Sequence, residues 1–356
     1  MTLQSNSQNA LPSESRLLDA ARAGSEDAFE ALTRPRQREL HVHCYRMLGS
    51  LEDADDALQD TLLRAWRQLD SFAPRAPFRA WLYRIATNLC LSMLARRGRW
   101  GKTAASSRIG AIGKEGEAVR LDPYPDHLLD ELDPATPGPE MNFERDESVQ
   151  LAFIASVQML PPKQRATLLP RDVLDYSAAE TAVILATSEA GSNSALQRAR
   201  TTLKRERLAG RITREHGEIG SSDENALVQR LVAAWHAADV PSIVAVLSED
   251  AVFTMPPLPD RYAGRNAIGA FLKTVPGGGR LDRFRLVPMR ANRQPAVAAY
   301  MRGGDEGEFR AHAVMVLAIR GGDIASIVRF ADPTLFARFG LPETLSSAVN
   351  EIQPPV

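Results

Sequence analysis

Basic and aromatic side chains alternate along residues 75–102, and this basic stretch contains no acidic residue. Its cations are Arg75, Arg79, Arg84, Arg96, Arg97, Arg99 and Lys102. Its aromatic residues are Phe78, Trp81, Tyr83 and Trp100. Guanidinium and ammonium groups bind phosphates, and flat aromatic rings stack on unpaired bases. The combination therefore predicts a nucleic-acid surface.

The opposite charge is concentrated just upstream of the basic stretch. This acidic row consists of Glu52, Asp53, Asp55, Asp56 and Asp60, with no basic residue between them. Carboxylates this close repel one another unless a cationic partner meets them, so the row favours a protein partner. The alternative is a solvated helix face whose acids complement the helix dipole. Because the whole chain has a net charge of −1, its charges are sorted locally.

The composition, with 356 residues of which 44% are hydrophobic and 24% charged, is typical of a soluble globular chain with two or three domains. The sequence has no run of about 18 apolar residues, so we expect no membrane span. Its N-terminus lacks a basic segment followed by an apolar core, so we expect no secretory signal and a cytoplasmic location.

The chain contains two cysteines, Cys44 and Cys90, both within apolar helical patterns. We expect them to be buried free thiols in a reducing compartment. A zinc or redox site built from His41, His43 and Cys44 is disfavoured, because residues two apart on a helix do not share a face. We therefore expect neither a metal nor a cofactor.

Helices must position the acidic row and the basic stretch, because apolar residues recur at helical spacing from about residue 15 to 97. Gly49 is a suitable helix stop, and Ser50, with Asp53 three residues later, is a suitable cap for the acidic helix. Residues 71–77 form a loop with two prolines. Residues 98–140 have no sustained period and predict a linker, with a short docked piece around 121–132.

A second helical segment follows, from about 140 to 207. Ser177-Ala-Ala-Glu180 matches a capping box, and a tight turn then separates two short helices. The second of these is rich in Asn, Ser, Gln and Arg, which is typical of a helix-turn-helix that inserts its second helix into the major groove. An ordinary helical hairpin is the alternative.

After a polar linker, the pattern from Glu224 onward is mixed. An amphipathic helix and a second short helix precede strand-like runs that are separated by glycine-rich turns. The strand-like runs are 251–255, 283–288, 296–301, 309–319 and 324–330. Helices followed by an antiparallel set of strands predict an α+β domain.

Three stretches together resemble the extracytoplasmic-function (ECF) sigma factors of the sigma-70 family, the bacterial RNA polymerase subunits that select promoters. They are H-C-Y-R-M-L-G-S-L-E-D-A-D-D-A-L-Q-D-T-L-L-R-A-W, F-R-A-W-L-Y-R-I-A-T-N, and S-A-A-E-T-A-V-I-L followed by N-S-A-L-Q-R-A-R-T-T-L. The tail, from A-A-W-H-A-A-D to L-F-A-R-F-G-L-P, resembles a SnoaL-like domain of the NTF2-like fold. The pair resembles the actinobacterial groups that carry such an extension.

The resemblance implies a multidomain fold with two all-α sigma domains and a C-terminal α+β NTF2-like cone. Region 2, a helical bundle, is expected at 15–98 and region 4, a helix-turn-helix, at 140–208, with the SnoaL-like domain at 224–342. Linkers are expected at 99–139 and 209–223. The implied function is to bind core RNA polymerase and direct promoter recognition and transcription initiation, with the tail as a regulator.

For region 2, the resemblance implies two functional surfaces. Docking on the clamp helices of the polymerase β′ subunit, beside the β subunit, would use Asp53, Asp56, Gln59 and Asp60. A loop with Phe72 and Arg75 would cradle a flipped base of the minus-ten element, and Tyr83 and Asn88 would lie along the single strand. Arg79, Arg84 and Arg96 would hold phosphates. Trp81 and Ile85 suit the core as well as a contact, and for Tyr83 the alternative is a half-buried aromatic.

In region 4, the recognition helix would present Ser194 and Gln197 to base edges of the minus-thirty-five element. Arg198, Arg200 and Lys204 would hold phosphates, and Leu196 and Ala199 would face the core. The sequence departs from the family here: the usual L-L-R-D is L-L-P-R-D, with Pro170 inside a helix, and Ser192 replaces an apolar residue next to Gly191. We expect a less stable region 4 and altered or weakened minus-thirty-five contact.

SnoaL-like domains can be cyclases or isomerases that use an Asp or a His in an apolar cavity. Candidates for a pocket here are Trp235, Phe253, Asp260, Tyr262 and His312. Single acids and a His on strands are more often structural, so we expect no enzyme but a domain that tunes promoter or polymerase engagement, gated by a small apolar ligand. The alternatives are a SnoaL-like enzyme and a ligand-sensing DNA-binding regulator.

Overall fold

The structure is a computed structural model that describes residues 13–73, 77–103, 121–130, 148–208, 222–256, 258, 260–303 and 307–345. Its first part is the helical bundle expected for region 2. The four helices are α1 Glu14–Arg22, α2 Glu26–Leu48, α3 Leu51–Arg67 and α4 Phe78–Thr103. Along α3, Ala54, Ala57, Thr61 and Ala65 are buried at helical spacing, which leaves the acidic row on the opposite side.

The sequence predicts the sharp turn between α2 and α3 correctly, but the residue that caps α3 is not the predicted one. Gly49 adopts the left-handed conformation with φ 76°, and its amide donates to the Tyr45 carbonyl to end α2. Ser50 occupies the N-cap position of α3, yet its hydroxyl makes no capping bond. Instead, Oδ2 of Asp122 accepts from the Leu51 amide at 3.0 Å. A linker carboxylate therefore caps the acidic helix.

The linker contributes a docked piece, residues 121–130, at the place expected for it. Asp126–Asp130 form the short helix α5, and Pro125 makes an isolated antiparallel bridge to Ala291 in the C-terminal domain. The Tyr45 hydroxyl donates to the Asp122 carbonyl oxygen at 2.8 Å. The linker piece thus lies between region 2 and the C-terminal domain. The rest of the expected 99–139 linker, beyond the end of α4, lies outside the described residues.

Region 4 is described from residue 148, and its expected start at 140 lies outside the described residues. Its helices are α6 Leu151–Gln158, α7 Pro162–Asp172, α8 Ala178–Ile184 and α9 Glu189–Leu208. The predicted capping box is confirmed: the Glu180 amide donates to the Ser177 hydroxyl at 3.2 Å, and a Glu180 carboxylate oxygen accepts from the Ser177 amide at 2.8 Å. Helices α8 and α9 form the helix-turn-helix.

Both departures from the family pattern lie in buried positions. Pro170 is buried in the last turn of α7, which ends two residues later at Asp172. Ser192 is only 1% exposed in the first turn of α9, and its hydroxyl has no hydrogen-bond partner among the described residues. A buried hydroxyl without a partner lowers stability by about 1–3 kcal/mol, so the site of Ser192 suits the apolar residue that it replaces.

The C-terminal domain combines helices with a seven-stranded sheet of order β2-β1-β6-β5-β4-β3, with β7 paired to β5. Its helices are α10 Ser222–His236, α11 Val240–Ala245, α12 Arg265–Thr274 and α13 Leu335–Arg338. Its strands are β1 Leu247–Thr254, β2 Arg261–Ala263, β3 Phe284–Ala291, β4 Gln294–Arg302, β5 Phe309–Arg320, β6 Asp323–Phe330 and β7 Thr344–Leu345. The expectation of a purely antiparallel set was wrong, because β1 pairs with β6 in parallel.

The two faces of this sheet pack against different partners. On the inner face, alternate residues of β4, β5 and β6, such as Val297, Met315 and Ile327, join α10 and α12 in one apolar core. On the outer face, residues such as Ala298 and Val316 belong to a core that is continuous with the two helical domains. Because this outer core is continuous, the C-terminal domain packs directly against the helical domains.

Candidate functional site

The acidic row on α3 is divided between exposed and paired carboxylates. Asp56, Gln59 and Asp60 are exposed, whereas the Asp53 side chain is 13% exposed and pairs with Arg97 of α4. Leu63, one turn further along the exposed side, is 46% exposed. Three of the four polymerase-docking candidates therefore lie open on one face, and the fourth joins the acidic helix to the basic helix.

Asp55, which sequence reasoning placed in the acidic row but not in the docking set, has two partners. Its Oδ1 lies 3.0 Å from Nε2 of His41, and its Oδ2 lies 2.5 Å from Nη1 of Arg338 on α13. Nδ1 of His41 is 2.6 Å from the Tyr124 hydroxyl of the linker. Burial lowers the pKa of His41 despite the nearby Asp55 carboxylate. A polar chain therefore runs from the linker through region 2 to the C-terminal domain.

The loop after α3 is anchored by three aromatic rings. Phe72 is 5% exposed, and its ring centroid lies 5.5 Å from that of Phe78 and 5.3 Å from that of Trp81. Its carbonyl oxygen accepts from Nη2 of Arg22 at 2.5 Å. Arg75, the other predicted loop residue, lies outside the described residues. The rings fix the base of the loop against α4.

A cavity of about 640 Å³ opens beside this loop. Its lining is contributed by α3, the loop, α4 and α8: Arg64, Gln68, Ser71, Phe72, Ala73, Trp81, Arg84, Ile85, Asn88 and Val183. Arg84 and Asn88 are exposed, and Val183 of region 4 is 46% exposed at the rim. An aromatic wall, a guanidinium and an amide around one cavity can hold a flat heterocycle next to a phosphate. Arg96 is exposed further along α4.

Tyr83 lies elsewhere, fully buried at the contact with region 4. Its ring meets His43 edge-on at 5.0 Å and Tyr176 at 5.6 Å between centroids. Burial raises the pKa of Tyr83 far above its usual range, and its hydroxyl has no hydrogen-bond partner among the described residues. In this conformation Tyr83 is shielded from any DNA strand, whereas Asn88, one turn further along α4, remains exposed.

Arg79 is also engaged within the protein. Its Nη2 lies 2.8 Å and its Nε 3.0 Å from the Glu39 carboxylate, and its guanidinium stands 5.2 Å from the Tyr83 ring and 5.1 Å from the Tyr176 ring. Burial lowers the pKa of Arg79, but the hydrogen bonds to Glu39, together with the electrostatic effects of Glu39, Tyr83 and Tyr176, raise it above its usual range. The structure therefore separates the predicted DNA contacts into an exposed group around the cavity and a group covered by region 4.

Arg165 of α7 is a further residue of this contact, and sequence reasoning gave no sign of it. It is 4% exposed, and its guanidinium donates to the carbonyl oxygen of Met47 in the last turn of α2. Its Nη1 also donates to Oε1 of Gln158 at 2.5 Å, and Gln158 donates to the Arg46 carbonyl at 2.9 Å. Carbonyls at a helix C-terminus lack partners within the helix. Region 4 thus supplies the C-terminal cap of α2.

The recognition helix α9 presents the predicted DNA contacts on its exposed side. Ser194, Gln197, Arg198 and Lys204 are exposed, whereas Leu196 and Ala199 are buried, as the sequence predicts. Arg200 is exposed but bonds to the Asp172 carboxylate at 2.7 and 3.1 Å. Of the predicted contacts, Gln197, Arg200 and Lys204 line a groove of about 410 Å³, together with Arg171, Asn193, Leu196 and Thr201.

The turn between β3 and β4 joins all parts of the protein. Asn292 and Arg293 occupy this two-residue turn with φ 57° and 59°, as asparagine and its hairpin geometry allow. Asn292 is fully buried: its Oδ1 accepts from the Tyr124 amide at 2.8 Å, and its Nδ2 donates to the Tyr45 hydroxyl at 3.0 Å and the Val149 carbonyl at 2.7 Å. One side chain thus contacts region 2, the linker and the segment that enters region 4.

Neighbouring residues extend this contact, and we call residues 290–294 the hairpin tip. Oε1 of Gln294 accepts from the Leu151 amide at 2.8 Å, at the start of α6. Arg290 lies 3.4 Å from the Asp126 carboxylate, and Arg293 pairs with Asp130. The A-N-R-Q sequence between two strand-like runs indicates a turn, but its burial depends on residues far away in the chain.

The pocket candidates of the C-terminal domain are only partly brought together. Trp235 and Phe253 are buried at 3% and 1% exposure in the inner core. Tyr262 is half-buried and stacks on Phe271 with 4.3 Å between ring centroids, whereas Asp260 is exposed. His312 is half-buried, with its ring centroid 5.5 Å from that of Phe284 and its Nε2 2.7 Å from Nη2 of Arg329.

Other titratable groups of this domain accept hydrogen bonds that stabilise the fold. Nε2 of His236 accepts from the Leu286 amide at 2.9 Å. The Asp239 carboxylate accepts from the Ser242 amide at 3.2 Å and caps α11. Asp332 accepts from the amide and hydroxyl of Thr334. These contacts favour a structural use of the acids and histidine over acid–base catalysis.

Cys44 and Cys90 are both fully buried and free, as expected. Within the described part of the chain, His, Cys, Asp and Glu side chains form no group of three or more that could hold a metal ion. Of the described helices, none combines the length and the apolar character needed to cross a membrane.

Comparisons with known proteins cover most of the chain. The family models for Sigma-70 region 2, Sigma-70 region 4 and a SnoaL-like domain match residues 32–99, 150–203 and 228–327. The ECF RNA polymerase sigma factor SigG of Mycobacterium tuberculosis is 40% identical over 326 residues, which cover 89% of this chain and 85% of that protein. SigM of the same species is 32% identical over 195 residues, 54% of this chain and 84% of that protein.

A solved structure shows the same fold along most of the chain. The crystal structure of the Mycobacterium tuberculosis extracytoplasmic function sigma factor SigJ superposes with a TM-score of 0.57 at 22% identity. The superposition covers 87% of this chain and 98% of that one, so the order of helical domains and C-terminal α+β domain is common to both.

Proposed function

The chain belongs to the family of ECF RNA polymerase sigma factors, and we propose that α3 binds core polymerase while α4 and α9 recognise the promoter. The family assignment makes it a sigma factor that directs transcription initiation, with two helical sigma domains and a SnoaL-like, NTF2-like tail. The observation that carries the proposal is the separation of charge in region 2: exposed carboxylates on α3, and a cationic, aromatic-walled cavity beside α4.

Polymerase docking would use the exposed face of α3. Asp56, Gln59 and Asp60 lie side by side there, and Leu63 adds an exposed apolar side chain at the end of the row. Carboxylates around an apolar contact suit a basic helical partner, which we take to be the clamp helices of the β′ subunit. Asp53, held by Arg97, would set the angle between this face and α4.

Minus-ten recognition would use the cavity beside the loop. The ring of Trp81 and the side chains of Arg84 and Asn88 would receive an unpaired base and its phosphate. Base stacking on an aromatic ring is worth about 1–3 kcal/mol per base, which offsets the cost of removing the base from the duplex. Region 4 would add the minus-thirty-five contact through Ser194, Gln197, Arg198, Arg200 and Lys204.

The described conformation favours a closed state of the free protein. Tyr176 covers Tyr83 and Arg79, and Val183 stands at the cavity rim. Single-stranded DNA would therefore reach these residues only after region 4 moves away. We propose that core polymerase stabilises the separated arrangement, because it would hold the two sigma domains at different places.

The SnoaL-like domain would tune this transition through the hairpin tip. Asn292 bonds to Tyr45 of region 2 and to Val149, and Gln294 bonds to the start of α6 in region 4. Arg338 pairs with Asp55 next to the docking face. A small apolar ligand could bind within the cone, near Trp235, Phe253, Tyr262 and His312. If it moved the strands that carry the hairpin tip, it would shift the equilibrium between the closed and separated arrangements. We further propose a cytoplasmic location and the domain limits 15–98, 140–208 and 224–342.

The proposal is tested by transcription from fragmented genomic DNA with purified core polymerase and the full chain, followed by sequencing of the transcripts. We expect initiation at a limited set of sites that share a motif. Asp60→Lys should weaken polymerase binding at least tenfold, whereas Glu30→Lys, an exposed acid on α2, should not. Asn88→Ala should keep polymerase binding and lose open complexes. Equal binding by both charge variants would contradict the assigned docking face.

A further inference from the structure

A β-bulge turns His312 toward the inner face of the sheet. In the pairing of β4 with β5, Ala299 lies opposite Ala313 and Tyr300 opposite Ala311, so His312 is the extra residue between them. A bulge adds one residue to a strand, bends it locally and redirects a side chain. The His312 ring accordingly meets Phe284, a member of the inner core.

Arg329 lies beside it on the same face. It is opposite Met315 of β5, whose side chain belongs to the inner core, and directly opposed residues share a face. Its Nη2 is 2.7 Å from Nε2 of His312, and its Nη1 is 3.8 Å from the Met255 sulfur. A guanidinium carries five N–H donors, so these two contacts leave donors for a further partner.

The described surroundings of Arg329 lack the usual counter-charge. Among the described residues its side-chain partners are a histidine nitrogen and a thioether, and no carboxylate pairs with it. Burial lowers the pKa of Arg329, and burial followed by the neighbouring Arg329 lowers that of His312 to about 4. His312 is therefore neutral at pH 7, accepts from Arg329 through Nε2, and keeps an N–H on Nδ1.

We infer that Arg329 and His312 form a binding site for an organic carboxylate, whose apolar body rests against Met255 and Phe284. The half-buried guanidinium would receive the two carboxylate oxygens in its fork, while Nε2 of His312 holds Nη2 of Arg329 in place. This inference rests on the proposal that the cone takes a small ligand, and it assigns that ligand a negative head group.

The position of Arg329 and His312 on the sheet explains how a bound ligand would affect regions 2 and 4. Arg329 is followed by Phe330, which lies in the outer core with the helical domains, and β4 carries both Ala299 opposite the bulge and Gln294 of the hairpin tip. A carboxylate bound by Arg329 therefore acts on the strands that bear the contacts to regions 2 and 4.

The test compares two probes of equal shape, 2-naphthoate and neutral 2-naphthamide, by titration calorimetry against the full chain. We expect naphthoate to bind at least tenfold more tightly than naphthamide. Arg329→Gln should abolish the difference, whereas Arg310→Gln, an exposed guanidinium on the same strand as His312, should preserve it. Near-ultraviolet circular dichroism of each variant checks its packing, and Arg329→Lys, which keeps the charge but not the fork, should bind naphthoate weakly.

Three results would overturn the inference: no naphthoate binding at millimolar concentration, equal binding of the two probes by the native chain, or an undiminished preference for naphthoate in Arg329→Gln. The comparison of probes on the native chain holds even if the Arg329→Gln variant does not fold. Transcription measured on the same preparation separates the two proposals. Transcripts without naphthoate binding would remove only the carboxylate site, and the converse would remove only the sigma role.

Discussion

Tyr83 of α4 and Tyr176 of region 4 meet edge to face, with their ring centroids 5.6 Å apart, and the guanidinium of Arg79 stands over both rings. This contact lies between two domains that the sequence separates by a long linker. It places a side chain expected to touch single-stranded DNA under the domain expected to touch the upstream promoter element. The free protein therefore covers part of the proposed DNA-reading surface.

Removing the Tyr176 ring should uncover this surface. An aromatic pair of this geometry is worth about 0.5–1.5 kcal/mol beyond its buried area, and the cation–π contact with Arg79 adds to it. We expect Tyr176→Ala to raise the affinity of the free chain for a single-stranded minus-ten oligonucleotide about tenfold, measured by fluorescence anisotropy. Tyr176→Phe keeps the ring and should behave as the native chain. Equal affinities for all three proteins would show that Tyr83 is dispensable for binding.

The hairpin tip should hold the closed arrangement mainly through Asn292. Asn292→Ala removes hydrogen bonds to Tyr45, Tyr124 and Val149 and leaves buried groups unpaired, at a cost of about 1–3 kcal/mol for each group. We expect faster proteolysis of the linkers and more transcript at limiting polymerase. The exposed Asn225→Ala on α10 is the control. A variant at 292 that resists protease like the native chain would argue against this role.

Ser192 offers a gain of stability by a single substitution. Because its hydroxyl is buried without a partner among the described residues, Ser192→Ala should stabilise the chain by about 1–3 kcal/mol in urea unfolding. Ser194→Ala, at an exposed position on the same helix, should change the free energy of unfolding by less than about 0.5 kcal/mol. If Ser194→Ala raised the free energy of unfolding more than Ser192→Ala, the Ser192 hydroxyl would have a hydrogen-bond partner.

Stability should fall as the pH drops below 6.5 because of His43. Burial, helped by Arg46 and Arg79, lowers the pKa of His43 from 6.5 to about 3. Between those values the unfolded chain binds a proton that the folded chain refuses, so the free energy of unfolding decreases as the pH falls, by at most about 1.4 kcal/mol per unit.

Urea unfolding at pH 7.5, 6.5 and 5.5 would measure this slope. Between pH 6.5 and 5.5, His43→Gln should show a shallower decrease than the native chain. His127→Gln, which alters an exposed histidine on α5, should keep the native slope. If the 43 and 127 variants lose stability in parallel, another group is responsible for the acid sensitivity.

Local features of the fold could be predicted from the sequence because their partners are near in the chain. The Ser177–Glu180 capping box, the left-handed Gly49 and the burial of Leu196 and Ala199 each depend on residues within one or two turns. The sigma and SnoaL-like domains followed from motifs that span most of the chain. The positions of five strands were predicted to within a few residues, whereas the short β2 and β7 were not predicted.

Features that depend on distant partners could not be predicted in the same way. The capping carboxylate of α3 is Asp122 and not Ser50, because the linker folds back onto region 2. The parallel pairing of β1 with β6 joins strands at opposite ends of the domain. Tyr83 has the pattern of a half-exposed aromatic, and only the position of Tyr176 makes it buried. The DNA, polymerase and pocket residues themselves remain predictions.

The bond from Arg165 to the last turn of α2 has a thermodynamic consequence. Since region 4 caps a helix of region 2, and Asp122 and Asn292 tie the linker and the tail to the same turn, no domain can unfold without leaving hydrogen-bonding groups exposed in another. Three sequence domains should therefore melt as one calorimetric unit, with a van't Hoff enthalpy close to the measured enthalpy. A partner that splits that single endotherm into separate transitions would be one that separates the three domains.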